Sequence, residues 1–191
     1  MADDVLLETE RLTLRELEEG DWEAVHRFTS DPEVVRYMPW GPNTEAQTRA
    51  FIAEAIACRK AQPRTYFELA VVRRADAQII GACNLRITER ANRGAVIGYW
   101  FRSDAWGHGY GTETVRGLLA LGFGELGLHR IFAHCDPDNG ASARVLEKAG
   151  LRREGLLREH EWQHGEWRDS ILCAILEPEW SAGERDAAKT R

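Results

Sequence analysis

The chain has 191 residues, 43% of them apolar and 29% charged, with a formal net charge of −6. That balance excludes a wholly disordered, collagen-like or coiled-coil chain and suits one hydrophobic core. An acidic chain is also a poor general nucleic-acid binder, because phosphate backbones demand a basic surface.

The start, Met1-Ala-Asp-Asp, offers neither a basic nor an apolar leader. Apolar runs stay far below the ~20 residues that cross a bilayer. Cys58, Cys83, Cys135 and Cys173 lie far apart and form no C-x-x-C. These features predict a cytoplasmic protein with reduced thiols and no membrane partner.

Arg11-Leu-Thr-Leu-Arg-Glu-Leu17 alternates Leu12 and Leu14 with polar neighbours, as a half-buried strand does. Asp21 reads as the cap of a short helix through Trp22, Val25 and Phe28. Asp31-Pro32 opens a loop carrying Tyr37, Met38, Pro39, Trp40 and Gly41-Pro42. Thr44, with Gln47 three residues on, forms a capping-box pattern for a helix bearing Phe51, Ile52, Ala55 and Ile56. Residues 66–73 and 79–89 read as a hairpin, and residues 94–102 as the next strand. After the turn Trp106-Gly-His-Gly-Tyr-Gly111, helical spacing links Val115, Leu118, Leu119, Gly122, Phe123 and Leu126. Residues 130–135 form a strand, and 139–149 a helix stopped by Gly150. Strands at about 153–162 and 167–176 turn at Gln163-His-Gly-Glu166. Residues 1–180 read as one domain and 181–191 as a polar tail.

One strand–helix–strand passage implies a parallel pair; hairpins imply the rest. The predicted fold is therefore α+β: a mixed, mostly antiparallel sheet of about seven strands flanked by about four helices.

Gly107, Gly109 and Gly111 stand between a strand and a helix. Glycine lets backbone N–H groups approach a ligand, and a helix start adds orphan donors and a positive dipole end, a combination that suits pyrophosphate. A tight turn requiring positive φ is the plainer reading. No Gly-Lys-Ser/Thr follows, and Thr112 interrupts G-x-G-x-x-G. Asp136 ends the next strand, where a ribose-binding acid would stand in a dinucleotide fold, but the flanking βαβ units are missing. His160-Glu-Trp-Gln-His164 matches the H-E-x-x-H zinc motif. That motif needs a helix; on a strand its histidines lie about 13 Å apart, too far for one zinc. No metal is expected.

The segment Ser103-Asp-Ala-Trp-Gly-His-Gly-Tyr-Gly-Thr-Glu-Thr114 resembles the acetyl-CoA signature of the GNAT N-acetyltransferases, with Trp106 where the family pattern has Arg or Gln. Arg130-Ile-Phe-Ala-His-Cys-Asp-Pro-Asp-Asn-Gly-Ala-Ser-Ala-Arg-Val-Leu-Glu-Lys-Ala-Gly150 resembles that family's next strand and helix. Glu10-Arg-Leu-Thr-Leu-Arg15 and Ser30-Asp-Pro-Glu-Val-Val-Arg-Tyr-Met38 are similar to the RimJ/RimL branch, which acetylates N-terminal amines of ribosomal proteins.

The resemblance implies direct transfer of acetyl from acetyl-CoA to a primary amine, without a covalent enzyme intermediate. The acceptor is a protein N-terminus, with a ribosomal protein as partner, or a small amine such as a drug or polyamine. A non-catalytic acetyl-CoA sensor is the competing class. Acetyl-CoA is expected along Tyr99, Trp100, Phe101, Trp106, Gly107, His108, Gly109, Tyr110, Gly111, Thr112, Asn139 and Ser142. Backbone donors of residues 96–101 would polarise the thioester carbonyl, with Gly98 permitting a bulge. Ser142 would meet the leaving thiolate. Glu161, buried beside Trp162 with a raised pKa, would take the ammonium proton directly or through water. Tyr37, Met38, Trp40 and Trp162 would wall the acceptor pocket. Direct nucleic-acid contact is not expected, and homodimerisation rests on analogy alone.

Overall fold

The protein is described from a computed structural model covering residues 5–181; the expected tail beyond residue 181 lies outside the described residues. The strands are β1 (Val5–Glu8), β2 (Leu12–Glu16), β3 (Tyr66–Arg73), β4 (Gln78–Glu89), β5 (Gly94–Phe101), β6 (Arg130–Cys135), β7 (Arg152–Gln163) and β8 (Glu166–Leu176). The helices are α1 (Trp22–Thr29), α2 (Pro32–Val35), α3 (Glu45–Arg59), α4 (Tyr110–Ala120) and α5 (Gly140–Lys148). One eight-stranded sheet runs β1-β2-β3-β4-β5-β6-β8-β7. Its neighbours are antiparallel except β5 and β6. The predicted α+β fold is therefore present. The eighth strand is β1, four residues on the sheet edge, and the additional helices are the single turn α2 inside the expected loop and a short helical turn at residues 177–181.

Leu12, Leu14, Leu69, Leu85 and Ile131 point to the face covered by α4 and α5, where Val115, Leu118, Leu119 and Leu146 meet them. Each fully buried leucine contributes about 1.5–3 kcal/mol by leaving water. On the opposite face Ala70 and Ala82 leave room for Trp100, and Val25, Phe28 and Ile52 from α1 and α3 pack around it. The period-2 alternation of β2, buried at Leu12, Leu14 and Glu16, is what the sequence pattern predicts.

Local capping follows the sequence at α3. Thr44 Oγ1 accepts from Gln47 N, and the Gln47 side chain answers at Thr44 N. Gly150 has φ +103°, the left-handed stop expected after α5. Asp21 differs from expectation: its side chain does not cap α1. It reaches back to Glu18 N and pairs bidentately with Arg15 at 2.7 and 2.8 Å. The helix expected through Leu126 is α-helical only to Ala120, and Leu121–Glu125 form a π-helical turn.

The feature that positions the site is a break in pairing. β5 and β6 pair only over Gly94↔Arg130, Ala95↔Ile131 and Val96↔Phe132. Beyond them β5 continues to Phe101, still paired with β4, and β6 to Cys135, still paired with β8, but not with each other. The strands part, and the backbone groups of β5 that face β6 are released from the ladder.

Candidate active site

A cleft of about 140 Å³ opens where β5 and β6 part. Tyr99, Gly98 and Trp100 line it from β5, His134 from β6 and Asp136 just after it, Asn139 and Ser142 from the start of α5, and Glu161 and Gln163 from β7. Tyr37 and Met38, from the segment after α2, close its mouth. A larger groove of about 660 Å³ runs along the other side of α4, between Leu7–Arg11 and Thr112–Ala120. It does not contain the hydroxyl and carboxylate groups that converge in the smaller cleft, so the chemistry belongs to the latter.

On the cleft's α5 side, the Tyr99 hydroxyl meets Ser142 Oγ at 2.9 Å and Ser142 O at 3.2 Å. Burial pushes the Tyr99 phenol up, while the bond to Ser142 lowers it less. The phenol is therefore a protonated donor at neutral pH. Asn139 Oδ1 accepts from Ser142 N at 3.1 Å, so Asn139 is the N-cap of α5 and fixes Ser142 in its first turn.

At the other end of β5, Gly107 and Gly109 have φ +76° and +83°. Residues with a Cβ rarely adopt that conformation, which turns the chain abruptly into α4. Gly109 is the N-cap, and no side chain caps the helix. The first N–H groups of α4, with the positive end of its dipole, suit a diphosphate. Arg11 braces the turn by donating to His108 O at 2.9 Å and pairing with Glu113 at 2.7 Å. His108 stacks on Tyr110 with ring centroids 5.8 Å apart. Trp106 is 45% exposed, and its indole N–H donates to Phe101 O. The residues from Gly107 to Thr112 thus fit the diphosphate arm of acetyl-CoA through backbone donors, whatever side chain stands at 106.

Several sequence-based assignments shift. Phe101 is buried in the α4-side core instead of facing the cleft. Trp40 packs edge-on against Trp100 at 5.4 Å and supports the wall from behind. Trp162 is 58% exposed and pairs with Trp167 at 5.3 Å, away from the cleft. Glu161 is in the cleft, but its side chain is 34% exposed and not buried beside Trp162. Gln163 Nε2 donates to it at 2.6 Å. Gly98 is not at a bulge: β4 and β5 pair regularly through Asn84↔Gly98. A Cβ there would stand 3.0 Å from Asn84 Oδ1, so this glycine makes room for the neighbouring amide.

Asp136 is not a free ribose-binding acid. Its carboxylate accepts from Arg168 Nε at 3.0 Å and Nη2 at 2.9 Å, and from Asp138 N. The H-E-x-x-H segment begins on strand β7, and His164 stands in the turn with φ +50°.

Sequence reasoning missed His134 and Ser170. His134 lies on an ordinary alternating strand, and its ring is 4.6 Å from that of His160. Burial, reinforced by His160, holds the His134 imidazole below its ordinary range, against a smaller opposing pull from Glu161. Ser170 Oγ meets His160 Nδ1 at 3.0 Å. The signal for both was non-local pairing, which spacing along the chain does not carry.

Comparison with known proteins agrees with this geometry. Residues 11–152 match the acetyltransferase (GNAT) domain family. The chain is 36% identical over 173 residues to the uncharacterized N-acetyltransferase YnaD of Bacillus subtilis, covering 91% of this chain and 98% of that one. It is also similar to a crystal structure of a GNAT-family acetyltransferase from Bacillus anthracis, with TM-score 0.79 and 35% identity over 90% of this chain and 98% of that one. A shorter likeness, 28% identity over 109 residues and 56% of each chain, links it to the [ribosomal protein uS5]-alanine N-acetyltransferase of Escherichia coli. The chain belongs to the GNAT family and is an acetyl-CoA-dependent N-acetyltransferase.

Proposed function

We propose that the protein acetylates the α-amine of a protein N-terminus, in the manner of the RimJ/RimL branch. The observation that carries this reading is the cleft between β5 and β6. A hydroxyl pair, Tyr99 and Ser142, lies on one side of it and a carboxylate, Glu161, on another, with Tyr37 and Met38 at the mouth. Acetyl-CoA supplies a thioester acetyl group that an amine can attack directly.

The chain's own residues divide the remaining work. The N–H groups from Gly107 to Thr112 hold the diphosphate, which aims the thioester arm along β5. Released N–H groups of β5 polarise the thioester carbonyl. Glu161 takes the proton of the incoming ammonium, directly or through water; its partial exposure gives that proton a path to solvent. Ser142, fixed by Asn139 and backed by the protonated Tyr99, donates a hydrogen bond to the leaving thiolate.

The N-terminal acceptor is favoured over a polyamine by the likeness to the uS5-alanine enzyme. It also suits a cleft of about 140 Å³, which admits an amine and one small side chain while the rest of a peptide stays outside. The test is a thiol-release assay on peptides with free N-termini beside small amines and polyamines. Higher kcat/KM on peptides beginning with small residues is expected. Preference for a polyamine or drug-like amine overturns the acceptor assignment, and acetyl-CoA binding with no turnover on the whole panel overturns catalysis at this cleft.

A further inference from the structure

Among the described residues, one group of three side chains able to ligate a metal comes together: His134, His160 and Glu161. Their ligand atoms all lie within 4.8 Å of one another. Two of them begin the H-E-x-x-H segment, yet the third ligand is not the motif's second histidine. It is His134, from a different strand.

The arrangement has a local cause. Consecutive residues on a regular strand point to opposite faces, so His160 and Glu161 would diverge. The β7–β8 register slips between Leu157↔Ser170 and Glu161↔Arg168, where four steps on β7 oppose two on β8. Glu159 takes a left-handed φ of +50° within this bulge, and its N–H donates to Asp169 Oδ1 at 2.8 Å. Bulges re-aim side chains. Here the bulge brings His160 Nδ1 to 3.9 Å from Glu161 Oε1 and the His160 ring to 4.6 Å from that of His134.

We propose that His134, His160 and Glu161 form a binding site for a zinc-class divalent cation, and that its occupancy blocks acetyl transfer. Two imidazoles and a carboxylate are the donor set of zinc and its late first-row neighbours, whereas magnesium and calcium take oxygen ligands. Ligand atoms around tetrahedral zinc stand roughly 3.4 Å apart, given Zn–N and Zn–O distances near 2.0–2.1 Å. Side-chain rotation of half-buried His134 and Glu161 and of exposed His160 covers the difference. Ser170 Oγ, 3.0 Å from His160 Nδ1, is an outer partner of the kind that orients a ligating imidazole. Three protein ligands leave a fourth position open, and two of them, His134 and Glu161, line the cleft. The blocking role rests on reading Glu161 as the proton acceptor: a carboxylate bound to a dication is a far weaker base.

The test is titration of chelator-treated protein with Co²⁺, following the visible d–d bands, and then displacement by Zn²⁺. The expected result is one Co²⁺ per chain, with affinity at least tenfold weaker in His134→Gln and in His160→Asn and unchanged in His164→Ala. Thermal unfolding of each variant verifies that it is folded, and the two ligand variants test the site independently. Absence of a Co²⁺ spectrum, or binding equal in wild type and both ligand variants, overturns the site. In the thiol-release assay Zn²⁺ should inhibit, chelator should restore activity, and the half-inhibitory concentration should rise at least tenfold in His160→Asn. Binding without inhibition overturns the blocking role and keeps the metal site. The spectrum does not depend on turnover, so failure of the acetyl-transfer reading is seen separately.

Discussion

Glu68→Gln is the perturbation that most directly tests how the interior beside the cleft is built. Glu68 on β3 faces Asn84 on β4, which in turn faces Gly98 on β5, one row across three strands. It is 2% exposed. One carboxyl oxygen accepts from the Tyr66 hydroxyl and, at 3.2 Å, from Asn84 Nδ2; the other has no protein partner. Burial raises its pKa from 4.5 to about 8, and the two donors offset only part of that rise. The native state therefore keeps a proton that the unfolded chain releases. The resulting stabilisation is fully present below pH 4.5 and is lost as pH rises through about 8. At roughly 1.4 kcal/mol per unit, the shift sets a ceiling of about 5 kcal/mol. Glutamine cannot titrate, and its unpaired N–H adds a pH-independent cost of about 1–3 kcal/mol. Urea unfolding at steps between about pH 5 and about pH 9 should show wild-type stability falling relative to the variant by several kcal/mol. Parallel stability curves for the two proteins would refute the protonated, desolvated carboxyl.

Three further outcomes follow from the cleft and the glycine turn. Ser142→Ala should lower kcat by about 10²-fold with little change in the KM for acetyl-CoA, because the hydroxyl acts on the leaving thiolate; a matching rise in KM would make it a binding residue. Glu161→Gln should lower turnover by about 10²–10⁴-fold, and wild-type turnover from neutral to alkaline pH would remove it as the proton acceptor. Gly109→Val, at φ +83°, should cost about 1–2 kcal/mol in backbone strain and raise the KM for acetyl-CoA; a thermal melt and steady-state kinetics check both effects, and unchanged values would show that the turn needs no glycine.

Much of this fold was legible because its signals are local. The alternation of Leu12 and Leu14, the Thr44–Gln47 capping box, the glycine turn before α4 and the Gly150 stop each depend on a few consecutive residues, and all four stand as expected. The four-residue β1 offers too short a pattern to identify, and α2 hides behind the Asp31-Pro32 loop signal, although Asp31 caps it by accepting from Glu33 N. What the sequence could not convey is which face each aromatic takes. Trp162 and Glu161 are adjacent, and a register shift decides that the carboxylate turns into the cleft while the indole turns out. Nor does any residue type announce a bulge built on a left-handed glutamate, since Glu159 has no glycine's freedom to betray it.

The two halves of the site consequently rest on different physics. In the proposed reading, the half that would receive acetyl-CoA is made largely of backbone: N–H groups at the start of α4 and released groups along β5, supported by glycines whose role is to lack a side chain. On that reading Trp106 would be tolerated, because the cradle would bind through backbone donors. The acceptor half is made of side chains from separate elements, with Tyr37 and Met38 after α2, His134 on β6 and Glu161 beyond the β7 bulge. If this reading holds, each could be exchanged without moving the diphosphate cradle, so acceptor choice could change while acetyl-CoA binding stays fixed. The same separation explains how a cation at His134, His160 and Glu161 would stop transfer while leaving acetyl-CoA binding intact: it would occupy the side-chain half alone.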